Sequence, residues 1–235
     1  MLGLPDDARA CLFDLDGVLT QTARVHAAAW KEMFDAYLRS RPGPFVPFDV
    51  VRDYDQYVDG KPRNDGVRSF LASRGIELSE DEVVELGARK NELVLGLIRE
   101  HGVQPYDGSV RYVQAARDAG LRRAVVSSST NARDVLAAAG ISDLFEDVID
   151  GHVAEREHLS GKPAPDTFLA GARALEVEPL QAVVFEDALA GVAAGRAGGF
   201  GCVVGVDRVG QAEELREHGA TVVVSDLAEL LESGR

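Results

Sequence analysis

Two aspartates near the start of the chain have the residue type and spacing that catalysis can use. Asp14 and Asp16 close a short apolar run, and Gly17 follows them directly. Side chains at positions i and i+2 of a strand point to the same side, and glycine lets the backbone turn sharply beside them. Two such carboxylates favour a hard cation, above all Mg²⁺, and one can act as nucleophile while the other is general acid or base. A turn that is merely rich in aspartate and glycine is the alternative.

Hydroxyl and amide side chains follow a second apolar run. They are Ser127, Ser128, Ser129, Thr130 and Asn131, and a helical pattern begins directly after them. Hydroxyl groups and free backbone N–H groups at a helix N-terminus can hold a phosphate. The same residue types also serve as ordinary helix caps, which is the competing interpretation.

Two further motifs carry charge. Lys162 lies between Gly161 and a segment in which two prolines stiffen the chain. A rigidly held ammonium group suits the charge that develops on a transferring phosphoryl group, whereas a solvated loop lysine would do nothing. Glu186 and Asp187 form a second acidic pair after another apolar run, and they are placed to complete an oxygen cage for the cation.

The elements that must position these residues follow from the apolar pattern. Strands are predicted at residues 10–14, 124–127, 182–186 and 201–206, with further candidates at 221–224 and 147–149. Helices are predicted between them, including 107–119 and 131–139. Apolar strands that alternate with helices indicate a Rossmann-like α/β core with a parallel sheet and helices on both faces. In such sheets ligands bind at the carboxyl ends of the strands, where the aspartate pair stands.

The stretch from residue 20 to 104 has only helical periodicity. One apolar stripe contains Trp30 and Phe34, a second contains Phe70, and Ser79 with Glu82 forms a capping box that opens a third helix. A proline-rich loop interrupts the segment at residues 41–47. We therefore predict a catalytic core made of residues 1–19 and 105–235, and an inserted all-helical cap made of residues 20–104.

Composition limits the kinds of partner. The 235 residues include 25 Lys and Arg against 39 Asp and Glu, a net charge of −14 that argues against nucleic acid and anionic membranes. No run of about 18 apolar residues is present to span a bilayer, and residues 1–10 lack the apolar region of a secretory signal. Cys11 and Cys202 lie in apolar runs and read as buried free thiols. We expect a cytoplasmic protein, and take it as a monomer.

The four motifs, in their order after successive strands, resemble those of the haloacid dehalogenase-like superfamily of aspartyl phosphotransferases. The resemblance covers nearly the whole chain, and the helical insertion resembles that superfamily's small helical cap. It implies that Asp14 is the nucleophile, and that Asp16 is the general acid and base and offers its backbone carbonyl to Mg²⁺. The residues implied to hold the metal are Asp14, Asp16, Asp187 and Glu186, the last two directly or through water.

Residues in the cap resemble more narrowly the β-phosphoglucomutase-like family. The segment 16–26 is similar to its first motif and cap hinge, which implies that Thr22 and His26 position and tune Asp16. Arg63 and Lys90 match cap residues that meet a second phosphate or the sugar. Each of these cap residues also has an interpretation without a functional role. Arg63 would then be solvated, His26 would be packed in the core, and Lys90 would extend its ammonium group to solvent. The full set of implied phosphate and substrate ligands is Gly17, Arg63, Lys90, Ser127, Ser128, Ser129, Asn131 and Lys162.

This resemblance implies a phosphomutase that converts β-D-glucose 1-phosphate to glucose 6-phosphate through a bisphosphate, with a small phosphorylated sugar as its partner. Three features of this chain differ from the family pattern. Thr130 stands where the family has lysine, Gln21 replaces an acidic residue, and the loop 41–57 is longer than in the family. A sugar-phosphate phosphatase with the same core residues is the alternative, because it needs one phosphate site where a mutase needs two. A third hypothesis is a non-catalytic protein that binds phosphosugars. The intact acidic motifs argue against it.

Overall fold

A parallel six-stranded sheet forms the centre of the molecule. The computed structural model describes residues 2–232, except the side chain of Glu232. The strands lie side by side in the order β3-β2-β1-β4-β5-β6, and all five pairings are parallel. Their bounds are β1 Ala10–Phe13, β2 Arg122–Val126, β3 Asp147–Ile149, β4 Ala182–Glu186, β5 Cys202–Val206 and β6 Val222–Val224.

Helices cover both faces of this sheet, as the apolar pattern predicts. Tyr112 on one helix and Leu136 on another pack against one face, while Phe168 and Val192 pack against the other. The predicted α/β class with a Rossmann-like parallel sheet is confirmed. The helices of this layer are α4 Asp107–Asp118, α5 Ala132–Ala138, α6 Gly151–Arg156, α7 Asp166–Ala174, α8 Leu189–Ala197, α9 Ala212–His218 and α10 Ala228–Glu232.

The segment between β1 and α4 is helical, with a separate apolar core. It contains α1 Ala23–Arg39, a π-helical turn Tyr54–Val58, α2 Arg63–Ser73 and α3 Glu80–His101. Phe34 lies at its centre, stacked on Trp30 at 5.0 Å between ring centroids and tilted against Phe70 at 4.3 Å. Both predicted stripes are buried in this core. The inserted helical cap is therefore confirmed as part of the fold, while its exact division from the core at residues 20 and 104 stays a prediction.

Two local predictions in the cap are also confirmed. Ser79 accepts a hydrogen bond from the backbone N–H of Glu82, and the Glu82 side chain accepts one from the backbone of Ser79, which is the predicted capping box. Residues 41–47 contain no helix or strand. The end of this loop is fastened to α1 because the buried Asp35 accepts a hydrogen bond of 2.7 Å from the Phe48 backbone.

Several bounds differ from the predicted ones for a physical reason. β2 begins at Arg122, two residues before the predicted strand, because the Arg123 side chain is buried and ion-paired with Glu146. A pattern based on apolar residues does not reveal such a strand start.

Cys11 and Cys202 are buried free thiols, as expected. The termini of the predicted core, Met1 and residues 233–235, lie outside the described residues. Among residues 2–232, none of the helices has the length and hydropathy needed to cross a membrane.

Candidate active site

A cavity of about 670 Å³ lies between the carboxyl edge of the sheet and the cap helices. Both parts of the chain line it. The core contributes Asp14, Asp16, Ser127, Ser128, Ser129, Asn131 and Asp187, and the cap contributes His26, Trp30, Asp59, Arg63 and Lys90. The cavity thus collects most of the residues that the motifs single out.

The first motif is held against the second acidic pair. Asp14 directly follows β1, and its backbone N–H donates to the carbonyl of Phe185 on the neighbouring strand β4 at 2.9 Å. Gly17 has φ +92°, and a Cβ atom there would lie 1.8 Å from Asp187 Oδ2. Glycine is required at this position because the backbone is left-handed and the carboxylate approaches it closely.

Lys162 lies at the centre of the buried charges. Its Nζ donates to Asp14 Oδ1 at 2.5 Å and to Glu186 Oε1 at 2.7 Å, and the residue is 2% exposed. Burial alone would lower the pKa of Lys162, but Asp14 and Glu186 more than offset this and raise it. The structure therefore holds this ammonium group rigidly beside Asp14, while its predicted role toward a transferring phosphoryl group stays a prediction.

Three buried carboxylates form a cluster that suits a divalent cation. Oxygen atoms of Asp14, Glu186 and Asp187 all lie within 4.8 Å of one another. Burial raises the pKa of Asp187 well above its usual range, and the neighbouring carboxylates of Glu186 and Asp14 add to the shift. Burial also raises the pKa of Glu186 to about 7, although Lys162 opposes the change. One ammonium does not balance these carboxylates, so an all-oxygen donor set remains that fits a hard metal ion.

The carboxylate of Asp16 points away from this cluster. It accepts a hydrogen bond from the Thr22 hydroxyl, and its Oδ1 lies 3.7 Å from His26 Nε2. Burial raises the pKa of Asp16, while the hydrogen bond from Thr22 lowers it. Any contact of Asp16 with a metal would thus come from the backbone carbonyl, as the resemblance implies.

The partly buried His26 and the buried Lys90 form a pair on facing cap helices. Lys90 Nζ lies 3.0 Å from His26 Nδ1 and 4.7 Å above the ring of Trp30. Burial lowers the pKa of Lys90 to about 7, and burial together with Lys90 lowers the pKa of His26. If the amine donates to Nδ1, the ring proton is on Nε2 and faces Asp16. The sequence predicts a phosphate or sugar as the ligand of Lys90. In the structure, the ammonium group of Lys90 contacts His26.

The polar segment after β2 joins core and cap. Ser127 Oγ accepts a hydrogen bond from the Ser129 backbone at 3.1 Å, and the carbonyl of the preceding Val126 accepts one from Lys162 Nζ at 3.3 Å. Ser128 donates to the carbonyl of Gly60 at 2.7 Å, and Asn131 donates to the side chain of Asn91 at 2.8 Å. Asn131 makes no side-chain cap bond to α5. The ordinary-cap interpretation therefore does not explain it.

Arg63 supplies a cationic group from the cap. It begins α2, and its Nε is buried without a hydrogen-bond partner among the described residues. Burial lowers the pKa of the guanidinium. An unpartnered buried donor is costly, and the Arg63 side chain lines the cavity, so this position fits an anionic ligand.

The motifs did not point to Asp59 and Tyr54. Burial with Glu186, Asp55 and Asp14 raises the pKa of Asp59 well above its usual range, while the Tyr54 side chain opposes the shift. Both residues line the cavity. The intervening π-helical turn has no regular apolar period, and only the acidic residue before Gly60 offered a weak signal.

Comparison with known proteins gives the family. The model of the family described as haloacid dehalogenase-like hydrolase matches residues 8–199. The chain belongs to this family. This match confirms the predicted resemblance to the haloacid dehalogenase-like superfamily, and the 56% identity to the β-phosphoglucomutase of Mycobacterium tuberculosis confirms the resemblance to its β-phosphoglucomutase branch.

Relatives within the haloacid dehalogenase-like family include two kinds of enzyme. The β-phosphoglucomutase of Mycobacterium tuberculosis is 56% identical, covering 98% of this chain and 94% of the relative. The validoxylamine A 7′-phosphate phosphatase of Streptomyces hygroscopicus is 30% identical, covering 94% of this chain and 95% of the relative. The crystal structure of β-phosphoglucomutase from Clostridium difficile superposes with TM-score 0.78 and 28% identity, covering 95% and 93% of the two chains.

The close approach at Gly17 predicts a selective loss of activity in Gly17→Ala. The added Cβ would collide with Asp187 Oδ2, and the positive φ costs about 1–2 kcal/mol of unfolding free energy. Gly140→Ala is the matched control, because Gly140 has φ +68° with nothing within 4 Å of the added Cβ. We expect both variants to be destabilised and only Gly17→Ala to lose phosphoryl transfer. Equal activity of the two would contradict the assigned contact.

The buried Lys90 predicts a dependence of stability on pH. The pKa is about 7 in the folded protein and about 10.4 when unfolded, so the unfolded chain binds more protons between these values. The unfolding free energy of wild type, relative to Lys90→Met, should therefore rise with pH from 7 to 9, by up to about 1.4 kcal/mol per pH unit. Urea titrations without phosphate or divalent metal measure this difference. A constant difference over that range would contradict the assignment.

Proposed function

We propose that the chain is a Mg²⁺-dependent phosphomutase acting on β-D-glucose 1-phosphate to give glucose 6-phosphate through a bisphosphate. The observation that carries the proposal is the unpartnered, buried Nε of Arg63, because the Arg63 side chain adds a second cationic group to a cavity that is also lined by Asp14, the carboxylate paired with Lys162. A phosphomutase must hold both ends of a bisphosphate. The 56% identity to a β-phosphoglucomutase over nearly the whole chain supports this assignment.

Asp14 is proposed as the nucleophile. Its carboxylate oxygen attacks phosphorus, the bond to the leaving oxygen breaks, and an aspartyl phosphate forms. Lys162, fixed 2.5 Å from Asp14, would neutralise charge on the transferring group, and Ser127 would donate a hydrogen bond to it. The second half-reaction returns the phosphoryl group to the other hydroxyl of the sugar.

Asp16 is proposed as the general acid and base. Burial favours its protonated form, so it can donate a proton to the leaving sugar oxygen and take one from the attacking hydroxyl. The Thr22 hydroxyl and the Nε2 edge of His26 fix the orientation of this carboxylate. Lys90 holds His26 in turn.

The acidic cluster is proposed as a Mg²⁺ site. Asp14, Asp187 and the backbone carbonyl of Asp16 would hold the ion, with Glu186 bound directly or through water. Bound there, Mg²⁺ neutralises charge on the phosphoryl oxygens and reduces their repulsion of Asp14.

The remaining predicted ligands are proposed for the second phosphate and the sugar. Arg63 would bind the phosphate, assisted by Ser129 and Asn131, and Gly17, Ser128 and Lys90 would line the site. Ser128 and Asn131 bond directly to the cap, and contacts of this kind would help to close the cavity and exclude water from the phosphoenzyme. The two buried thiols support a cytoplasmic location. A monomer is retained as the proposed assembly.

A sugar-phosphate phosphatase is the second candidate. The relative from Streptomyces hygroscopicus that is named as a phosphatase favours it, since it matches 94% of this chain. The two activities differ in whether water or a second sugar hydroxyl takes the phosphoryl group.

A paired assay tests the proposal. With Mg²⁺, β-glucose 1-phosphate and a trace of glucose 1,6-bisphosphate, we expect glucose 6-phosphate with little free phosphate, the two being measured in the same sample. Asp14→Asn should lower both signals at least about 10³-fold, because the nucleophile is lost. Free phosphate without the isomer would establish the phosphatase. Activity retained in Asp14→Asn would rule out the aspartyl-phosphate pathway and leave a binding role.

Arg63→Ala separates the two phosphate sites. We expect the mutase rate to fall about 10- to 100-fold, the effect of losing a hydrogen bond to a charged group, with hydrolysis of a small monophosphate nearly unchanged. Arg68→Ala on the same helix is the control, since Arg68 is partly exposed and paired with Asp65 and Glu80. Equal losses in both assays would remove the case for a second phosphate site.

A further inference from the structure

The loop after β5 is built around one aspartate. Asp207 Oδ1 accepts backbone hydrogen bonds from Val209 at 3.2 Å, Gly210 at 2.7 Å and Gln211 at 2.9 Å. Three bonds to one oxygen hold the loop 207–211 in a fixed shape. No predicted motif includes this loop, and none of its residues lines the cavity.

Arg208 reaches from this loop to the backbone of the first motif. Its Nε donates to the carbonyl of Gly17 at 2.7 Å, and its Nη2 lies 3.4 Å from the carbonyl of Val18. The guanidinium is fixed by a 2.7 Å bond from Nη1 to the carbonyl of Ser225 and by the ring of Tyr106, 3.7 Å away. The side chain is 15% exposed. A planar, multiply bonded guanidinium is a rigid brace for these carbonyls.

Gln211 reaches from the same loop to the second acidic motif. Its Nε2 donates to the backbone carbonyl of Asp187 at 3.1 Å. Loop 207–211 therefore contacts both acidic segments, one through Arg208 and the other through Gln211. These two segments also touch each other, because a Cβ at Gly17 would lie 1.8 Å from Asp187 Oδ2.

We infer that Arg208 and Gln211 are positioning residues that set the spacing between the Asp14–Gly17 segment and Asp187, and thereby the affinity of the acidic cluster for its cation. The inference rests on the metal site of the proposed function. Neither residue is placed to touch the metal or the substrate. Their hydrogen bonds go to backbone carbonyls, and the charge of Arg208 also lowers the pKa of Asp187. Residues behind the direct ligands of a metal typically change its affinity about 10- to 100-fold when they are replaced.

Metal binding is measured directly with Mn²⁺ alone, as the decrease of the free Mn²⁺ signal in electron paramagnetic resonance. Arg208→Met and Gln211→Met remove the donors at similar length, and we expect each to weaken Mn²⁺ binding about tenfold. Arg208→Lys keeps the charge and a single donor centre, so it should recover part of the loss. Arg216→Ala is the control, because Arg216 lies on α9 and pairs on the surface with Glu213. Thermal unfolding verifies that each variant is folded.

Kinetics give a second measurement. In Arg208→Met and Gln211→Met, the loss of catalytic rate relative to wild type should be large at low Mg²⁺ and should diminish at saturating Mg²⁺. General damage to the fold would lower the rate at every Mg²⁺ concentration. Folded variants that bind Mn²⁺ as wild type does would overturn the inference while the metal site stands. Asp187→Asn tests whether the acidic cluster is the metal site at all. If this variant binds Mn²⁺ as wild type does, the metal site of the proposed function is wrong and the inference is wrong with it. If one variant does not fold, the other decides.

Discussion

The ammonium of Lys162, placed between Asp14 and Glu186, is the interaction on which the site depends. Its Nζ is within 2.7 Å of an oxygen from each carboxylate, and all three groups are almost completely buried. Charges so far from water persist only when they are paired and hydrogen-bonded. The sheet supplies the pairing, because β1 and β4 are parallel neighbours in which Phe13 pairs with Phe185. Asp14 and Glu186, the next residues along each strand, therefore leave the sheet at the same edge.

The excess of carboxylates over ammonium in this cluster explains the organisation around it. Asp187 and Asp59 add negative charge, and burial with mutual repulsion raises the pKa of both. A hard cation bound by these carboxylates would lower the repulsion, and a phosphoryl group could then bind beside Asp14. Chemistry of this kind requires the acidic segments to be fixed before the ligand arrives, since a looser cluster would separate. The left-handed Gly17 and the bonds from loop 207–211 provide that rigidity.

The sequence predicted the residues of the core site and few of the contacts between them. Strand ends carry short motifs, so Asp14, Lys162 and Glu186 could be selected from type and order alone. The position of Lys90 in an apolar stripe showed that it is unusual, but not that it lies against His26, since α1 and α3 are far apart in sequence. Arg208 gave no signal, because a side chain that donates to backbone carbonyls can do so to any residue type. Local patterns reveal elements and charges, whereas the contacts across elements follow from packing.

In the proposed mechanism, the balance between mutase and phosphatase chemistry would be decided in the cap. The residues proposed to hold the transferring phosphoryl group lie in the core and would serve either acceptor. Water would reach an aspartyl phosphate unless the cavity closed, and the polar contacts between core and cap come from the same segment after β2 that is proposed to bind the second phosphate. A bisphosphate that engages Arg63 and Asn131 would thus bind most tightly to the closed form, and the binding energy of the distant phosphate would stabilise the closed state in which water is excluded. A monophosphate lacks that contribution. In this chain the proposed second anion site would therefore determine which oxygen accepts the phosphoryl group.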